Sequence, residues 1–172
     1  MDRRGIPADA SAFIHLAKAD AFPAAHHALG SLIATPAVWR EVVTDGRQRG
    51  YADAEHVVVA HEAGMVVQIR LTSDENMRAT TLRERRPLGS GESETIAAAV
   101  DSGRALVDDR IAARVARELG ITTISTLAIP LLLARRGWSQ SDALGLLKRL
   151  AIVMGARADQ VIRIESDIRR TT

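Results

Sequence analysis

The sequence predicts an α/β fold in which a mostly parallel central sheet carries helices on both faces. Short apolar segments alternate with amphipathic segments of helical length over most of the chain, and such alternation is typical of parallel sheets. Glycines such as Gly64 and Gly103 follow the predicted helix ends. A chain of 172 residues is long enough for one core, so we expect a single domain over residues 1–172.

Each predicted strand is a short apolar segment. In chain order the segments are GIPADA, SLIATP, GMVVQIRL, RALVDD and ITTIS. The fourth is unusual, because Ala105, Leu106 and Val107 form a buried strand pattern that stops at two adjacent acids, Asp108 and Asp109. Two like charges side by side repel each other, so the protein must solvate this pair or neutralise it.

Apolar residues at helical spacing predict helices between and after the strands. They are SAFIHLAKADAF, PAVWREVVTDG, YADAEHVVVAHEAG, ESETIAAAVDSG, RIAARVARELG and TLAIPLLLARRG. The second is expected to begin at Pro36 and to end just before Gly46. The polar stretch 73–91 is expected to end in a loop, RPLGSG. From Trp138 onward the chain is expected to be helical.

Composition excludes several classes of protein. The chain has no cysteine, which rules out disulfides, thiol catalysis and cysteine-based zinc sites. No apolar run reaches the roughly 18 residues of a membrane span, and MDRRGIPADASAF lacks the apolar stretch of a signal peptide. We therefore expect a cytoplasmic protein with no membrane partner.

The charge of the chain is only weak evidence for a nucleic-acid partner. The net charge of +2 is too small to indicate a nucleic-acid partner by itself. The basic residues are nearly all arginine, and Arg83, Arg85 and Arg86 cluster in RERRP. Such clusters suit bidentate contacts to phosphate, although a solvated surface explains them equally well.

Acidic residues follow the predicted strand ends. Asp9 ends the first strand, and Asp108 and Asp109 end the fourth, so these carboxylates converge if the two strands are neighbours. Further acids are Glu41, after the second strand, and Glu92 and Glu94, after the loop LGSGE. Carboxylates gathered without a lysine form the oxygen-rich site that Mg²⁺ or Mn²⁺ prefers.

Each of these acids also has a structural explanation. Asp9 and Asp109 can cap the helices that follow them, and acids in the first turn of a helix are favoured by its dipole. The pair is harder to explain in this way, because one cap needs only one acid. Ser11 and Thr126 follow strand ends, where they can orient a metal-bound water or cap helices. The histidines lack the spacing of a zinc site.

Five segments in this order resemble the PIN-domain family: DASAFIHLAK, PAVWREV, LGSGESETIAAA, ALVDDRIAARVARELGI and STLAIPLLLARRG. They are similar in particular to a branch of predicted nucleic-acid-binding PIN proteins, which combines a glycine–glutamate helix start with a paired-aspartate strand end. The resemblance covers a core of about residues 5–137 and leaves a helical C-terminal extension over 138–172. Ser125 departs from this branch, which often has glycine there, so the crevice floor is expected to be tighter.

The resemblance implies a three-layer α/β/α fold and an acidic metal site for phosphodiester cleavage. Asp9 matches the family's first acid, Glu41 the acid after the second strand, and Asp108 and Asp109 the last acidic positions. The remaining family acid falls on Glu92 or Glu94, and the choice stays open. Family members are often ribonuclease toxins of the VapC type that dimerise and are held inactive by a small antitoxin protein.

We therefore expect a ribonuclease that uses Mg²⁺ or Mn²⁺. Asp9, Glu94, Asp108 and Asp109 are the predicted catalytic residues, and Glu41 and Glu92 complete the predicted metal ligands. Arg83, Arg85 and Arg86 are expected to bind RNA phosphates, and Ser11 and Thr126 to orient water. The alternatives are a non-catalytic PIN-fold module that binds nucleic acid or protein and a receiver-like phosphotransfer domain. The latter needs a lysine near its acids, whereas both lysines here lie elsewhere in the sequence.

Overall fold

The computed structural model describes residues 5–171. All five predicted strands are present and short: β1 Ile6–Pro7, β2 Leu32–Ala34, β3 Val66–Gln68, β4 Arg104–Leu106 and β5 Thr122–Ile124. β1, β2 and β3 form one parallel ladder, and β4 and β5 form another. A parallel bridge between Ala8 and Leu106 joins the ladders, so the strand order across the molecule is β3-β2-β1-β4-β5.

Helices make up most of the rest of the chain. They are α1 Ala10–Lys18, α2 Phe22–Leu29, α3 Pro36–Trp39, α4 Gly46–Gln48, α5 Ala52–Glu62, α6 Ser73–Arg85, α7 Ser90–Ala99, α8 Arg110–Glu118, α9 Ile129–Ala134, α10 Gln140–Met154 and α11 Ala158–Arg169. A π-helical segment, Arg40–Asp45, connects α3 to α4, and a 3₁₀ turn, Thr126–Ala128, precedes α9.

The architecture is the expected three-layer α/β/α fold with C-terminal helices. One apolar cluster packs α1, α2 and α5 against the sheet and includes Phe13, Leu16 and Val57. A second cluster packs α7 and α8 against the sheet and includes Ile96 and Val115. Alanine occupies many of the buried positions, which lets the helices approach the short strands closely.

The C-terminal helices share the first of these clusters. Leu146, Leu147 and Leu150 of α10 and Ile168 of α11 are buried in it. Ser139 caps the start of α10, because its hydroxyl accepts a hydrogen bond from the backbone N–H of Asp142 at 3.0 Å. Within residues 5–171, no helix is both long enough and apolar enough to span a bilayer.

The prediction that a helix ends at Gly46 is wrong. Gly46 has helical φ and ψ angles of −59° and −47°, and the chain stays helical from Pro36 to Gln48 through the π-helical segment. The turn comes at Gly50, whose φ of 72° is the left-handed conformation that glycine adopts most easily. Gly46 instead serves close packing, since a Cβ there would lie 3.2 Å from the Cβ of Ala54.

The arginine-rich stretch also differs from the prediction. Arg83 and Arg85 lie in the last turn of α6, and the loop is shorter than RPLGSG because α7 already begins at Ser90. Helix α6 starts in a capping box, in which Thr72 and Glu75 each accept a hydrogen bond from the other's backbone N–H. This cap stabilises a helix whose sequence is otherwise strongly polar.

Candidate metal centre

The ends of β1 and β4 meet at the point where the strand order reverses. A crevice at the carboxyl ends of the strands at such a point is where open parallel sheets bind ligands. Oδ2 of Asp9, directly after β1, accepts hydrogen bonds from the backbone N–H groups of Asp108 at 2.9 Å and Asp109 at 3.1 Å. Its Oδ1 accepts a hydrogen bond from Ala12 at 2.7 Å and caps α1. The three aspartates are thus brought together at the sheet edge.

The carboxyl group of Asp9 is unusually hard to ionise. The residue is only 2% exposed, and this burial raises its pKa to about 6 despite the hydrogen bonds from Ala12, Asp109 and Asp108, which act in the opposite direction. The nearby charge of Asp108 raises the pKa further. A cation next to this buried carboxyl group would favour its ionised form and so lower its pKa.

Asp108 is held in a network of hydrogen bonds. Oδ1 accepts from the hydroxyl of Ser125 at 2.9 Å and from the backbone N–H of Thr126 at 2.8 Å, and Oδ2 accepts from Nδ1 of His15 at 2.8 Å. Burial acts to raise the pKa of this carboxyl, but these donors outweigh it, so the pKa lies below its ordinary value. The Asp108 side chain is 1% exposed. Its hydrogen bonds join the end of β4 to α1 and to the 3₁₀ turn.

Asp109 plays a different part. Its Oδ1 caps α8 by accepting hydrogen bonds from Ile111 and Ala112, each at 2.8 Å. Asp108 acts in the same way at the 3₁₀ turn, where it accepts from the backbone N–H of Thr126. Capping was the harder explanation for two adjacent acids, but it applies to both, because each acid serves a different helical segment. Oδ2 of Asp109 accepts no hydrogen bond within residues 5–171, and the residue lines an open cleft.

This carboxylate cleft has a volume of about 260 Å³ and is bounded by the starts of α1, α7 and α8 and by the π-helical segment. Four of its lining residues are acids, and none of those described is lysine or arginine. The full lining is Asp9, Ala10, Ser11, Glu41, Gly89, Ser90, Gly91, Glu92 and Asp109. The described part of the cleft wall therefore gathers negative charge without a basic side chain.

Glu41 reaches this cleft because α7 begins with a small residue. A Cβ on Gly91 would lie 3.3 Å from Oε2 of Glu41 and 3.3 Å from Cγ2 of Val38, so glycine allows the close approach. Partial burial raises the pKa of Glu41, and the charges of Glu92 and Asp45 raise it further, whereas Arg49 lowers it. Glu41 and Glu92 are therefore near enough to repel each other.

The structure separates the two glutamates between which the sequence does not decide. Glu92 lines the cleft, and its Oε2 accepts a hydrogen bond from the backbone N–H of Gly89 at 2.6 Å. Glu94 does not line the cleft. Its Oε2 accepts a hydrogen bond from the backbone N–H of Ala37 at 2.8 Å, in the first turn of α3.

The other predicted site residues are divided between the cleft and its surroundings. Ser11 lines the cleft, whereas Thr126 is buried behind Asp108. Nη1 of Arg83 lies 3.2 Å from the hydroxyl of Ser90, a residue of the cleft wall. Arg86 pairs instead with Glu118 at 3.0 Å, and Arg85 is exposed in the last turn of α6.

The donor set suits a hard divalent cation, although it is not closed around one. Among residues 5–171, no three histidine, aspartate or glutamate side chains lie close enough to form a ready-made metal-binding group. Oxygen atoms remain open, however, on Asp109, Glu41 and Glu92, and Asp9 is buried without a basic partner in the cleft. Carboxylate oxygens are the ligands that Mg²⁺ and Mn²⁺ prefer, so the residues fit such an ion.

Two features of the site are not indicated by the sequence patterns. His15 has no zinc-site spacing, and its contact with Asp108 joins residues 93 positions apart. Arg40 and Arg49 flank Glu41 in a neighbouring groove, and no cluster of arginines in the sequence marks them. Arg40 directly precedes the predicted acid Glu41 in the sequence, which was an available signal, whereas Arg49 lies eight positions further along the chain and comes near Glu41 only in the fold.

Of the comparisons with known proteins, the one with family models supports this architecture. No curated protein and no solved structure matches the chain. The family model DUF3368, described as a PIN domain, matches residues 6–163 and so spans nearly all of the elements described above. The chain therefore belongs to the PIN-domain family.

Proposed function

We propose that this protein is a ribonuclease that cleaves RNA phosphodiester bonds with the help of Mg²⁺ or Mn²⁺. PIN domains are generally metal-dependent nucleases, and this chain is a member of the family. The observation that carries the proposal is the cleft at the sheet edge. Four acids line it, and no described lining residue is lysine or arginine: Asp9, Glu41, Glu92 and Asp109.

These four acids are the ligand set that we propose. A bound divalent ion would lower the pKa of a water molecule and stabilise negative charge on the phosphate oxygens. Asp109 contributes its open Oδ2, and Glu41 and Glu92 contribute carboxylates from the π-helical segment and the start of α7. Asp9 has a raised pKa, which a neighbouring cation would return toward the ordinary range.

The remaining acids support this set. Asp108 fixes the start of α8 through His15, Ser125 and Thr126 and thereby directs Asp109 toward the cleft. Glu94 anchors α3, the helix that leads into Glu41. We therefore propose positioning roles for Asp108 and Glu94 rather than the direct metal contact expected from the sequence. Ser11, in the cleft wall, is the residue best placed to orient a water molecule.

The biological setting that we propose is a type II toxin–antitoxin pair. This part of the proposal depends on the resemblance to VapC-type toxins, which act on RNA, dimerise and are restrained by a small antitoxin protein. Growth arrest on induction of the wild-type gene, relieved by a small neighbouring reading frame, would support it. An Asp109→Asn variant that arrests growth equally would contradict it, because toxicity would then not depend on the cleft.

A non-catalytic binding module is the second candidate. It is favoured by the absence of a ready-made metal-binding group among residues 5–171 and by the many carboxylate oxygens that already accept backbone hydrogen bonds. Such a module would bind RNA or protein equally well after the acids are changed to amides.

Cleavage of a mixed RNA pool distinguishes the two candidates. Wild type, Asp9→Asn and Asp109→Asn are compared with Mg²⁺, with Mn²⁺ and with EDTA. We expect metal-dependent cleavage by the wild type and its loss in both variants. Arg163→Gln is the control for purification, because Arg163 is exposed on α11, which packs against α9 and α10. Equal cleavage by all four proteins, or none by the wild type under any condition, would contradict the ribonuclease proposal.

A further inference from the structure

We propose that Arg40 and Arg49 form a phosphate-binding groove for the RNA strand, next to the carboxylate cleft. The groove would hold a phosphate other than the one that is cleaved. This inference rests on the proposed function for the identity of its ligand as RNA. It also assigns the main phosphate contact to residues outside the RERRP cluster.

The groove is continuous with the carboxylate cleft. It has a volume of about 340 Å³, and its lining residues are Ala37, Arg40, Glu41, Asp45, Arg49, Ser90 and Gly91. Glu41, Ser90 and Gly91 line both spaces. A chain-like ligand whose backbone enters the cleft would therefore pass directly into the groove.

Both arginines are available for a ligand. They are exposed, and within residues 5–171 neither guanidinium forms a hydrogen bond or an ion pair. Other arginines nearby are already engaged: Arg47, in α4, donates two hydrogen bonds to Glu55 at 2.7 and 2.9 Å. Arg49 also lies near the cleft, because the charge of its guanidinium lowers the pKa of Glu41.

The chemistry of the groove suits a phosphate diester. A guanidinium group offers paired N–H donors that match two phosphate oxygens, and it stays charged at any physiological pH. Apart from Ala37 and Gly91, every described lining residue has a polar or charged side chain, so a purely apolar ligand would gain little there.

The charges of the groove make its affinity depend on the cleft. Arg40 and Arg49 carry two positive charges, and Glu41 and Asp45 offset them with two negative charges when both are ionised. A divalent cation beside Glu41 would cancel part of that negative charge and leave the groove net positive. RNA binding at the groove is therefore expected to be tighter with a divalent cation than with EDTA.

Fluorescence anisotropy with a short, labelled single-stranded RNA tests this inference. Binding is measured at several salt concentrations for wild type, Arg40→Gln, Arg49→Gln and the double variant, with Ca²⁺ and with EDTA, and the RNA is checked on a gel for integrity. Arg163→Gln is the matched control, since it removes from α11 one exposed arginine that forms no hydrogen bond or ion pair within residues 5–171. Thermal unfolding confirms that each variant is folded.

We expect each groove variant to bind RNA several-fold more weakly and to reduce the slope of log K against log salt by about 0.7 per lost phosphate contact. The control should change neither. Wild-type affinity and slope in the double variant, an equal loss in the control, or no RNA binding by the wild type would overturn the inference. If RNA binds through these arginines but is never cleaved, the ribonuclease proposal fails and the groove stands. If the double variant keeps both metal-dependent cleavage and wild-type RNA binding, the ribonuclease proposal stands and the groove proposal fails.

Discussion

Oδ2 of Asp9 accepts a hydrogen bond from the backbone N–H of Asp109 at 3.1 Å, which ties the end of the first strand to the start of α8. The same oxygen accepts from Asp108 at 2.9 Å. Asp9 thus fixes the backbone from which two adjacent acidic side chains diverge. One enters a buried network and the other faces the cleft, so the pair avoids the repulsion that two carboxylates in one place would experience.

Alanine substitutions of Asp108 and Asp109 should lower the free energy of unfolding by different amounts. Asp108→Ala leaves the donors of His15, Ser125 and Thr126 without their acceptor in a buried position, and we expect it to lower the free energy of unfolding by about 3 kcal/mol. Asp109→Ala removes a helix cap and should cost about 1 kcal/mol. Urea denaturation measures both. Equal losses would argue against the network around Asp108.

The raised pKa of Asp9 predicts a pH dependence in the metal-free protein. The unfolded carboxyl ionises near pH 3.8 and the folded one near pH 6, so the folded state holds an extra proton between these values. The contribution of Asp9 to stability is therefore present below about pH 4 and is lost as the pH rises to 6, by about 3 kcal/mol in total.

A comparison with Asp9→Asn isolates this effect. The difference in unfolding free energy between wild type and variant should fall as the pH is raised from 4 to 7, because only the wild type titrates. Adding Mg²⁺ at pH 7 should restore part of the lost stability to the wild type alone. A difference that does not change with pH would show that burial does not raise the pKa of Asp9.

Gly91 is predicted to be needed for the site, because its lack of a side chain leaves room for Glu41. In Gly91→Ala, the new Cβ would press on Oε2 of Glu41 and on Val38 at 3.3 Å, and moving Glu41 should weaken Mn²⁺ binding several-fold. Gly145→Ala is the control, because no neighbouring atom of the described residues lies within 4 Å of a Cβ built there. This control should gain up to about 1 kcal/mol of stability from its helix position without changing Mn²⁺ affinity. Unchanged Mn²⁺ affinity in Gly91→Ala would remove Glu41 from the ligand set.

Features set by local pattern were predictable from the sequence. The apolar segments located all five strands, and the acids at the ends of β1 and β4 predicted that Asp9, Asp108 and Asp109 converge if these strands are neighbours. The bridge between Ala8 and Leu106 shows that they are. Ser139 at the start of α10 and the turn glycine Gly64 were likewise predictable, because caps and turns depend on a few neighbouring residues.

Features that depend on tertiary contacts were not predictable. His15 and Asp108 meet only because α1 packs beside the end of β4, and no spacing in the sequence reports that contact. The choice between Glu92 and Glu94 depends on how α7 is rotated about its axis relative to α3. The groove of Arg40 and Arg49 depends on a π-helical segment, which the helical pattern of PAVWREVVTDG does not distinguish from an α-helix.

Mn²⁺ binding by two isosteric variants tests the central claim, that the carboxylate cleft is the metal site, most directly. Asparagine still caps a helix, so Asp109→Asn removes the open oxygen from the cleft while keeping α8 intact. Titration calorimetry should give a Kd for Asp109→Asn that is weaker than that of the wild type by at least about tenfold. Asp108→Asn keeps an oxygen acceptor for Ser125 and Thr126, so it should weaken Mn²⁺ binding much less than Asp109→Asn does. If Asp109→Asn binds Mn²⁺ normally, or if Asp108→Asn alone abolishes binding, the ion is not held by the cleft as described.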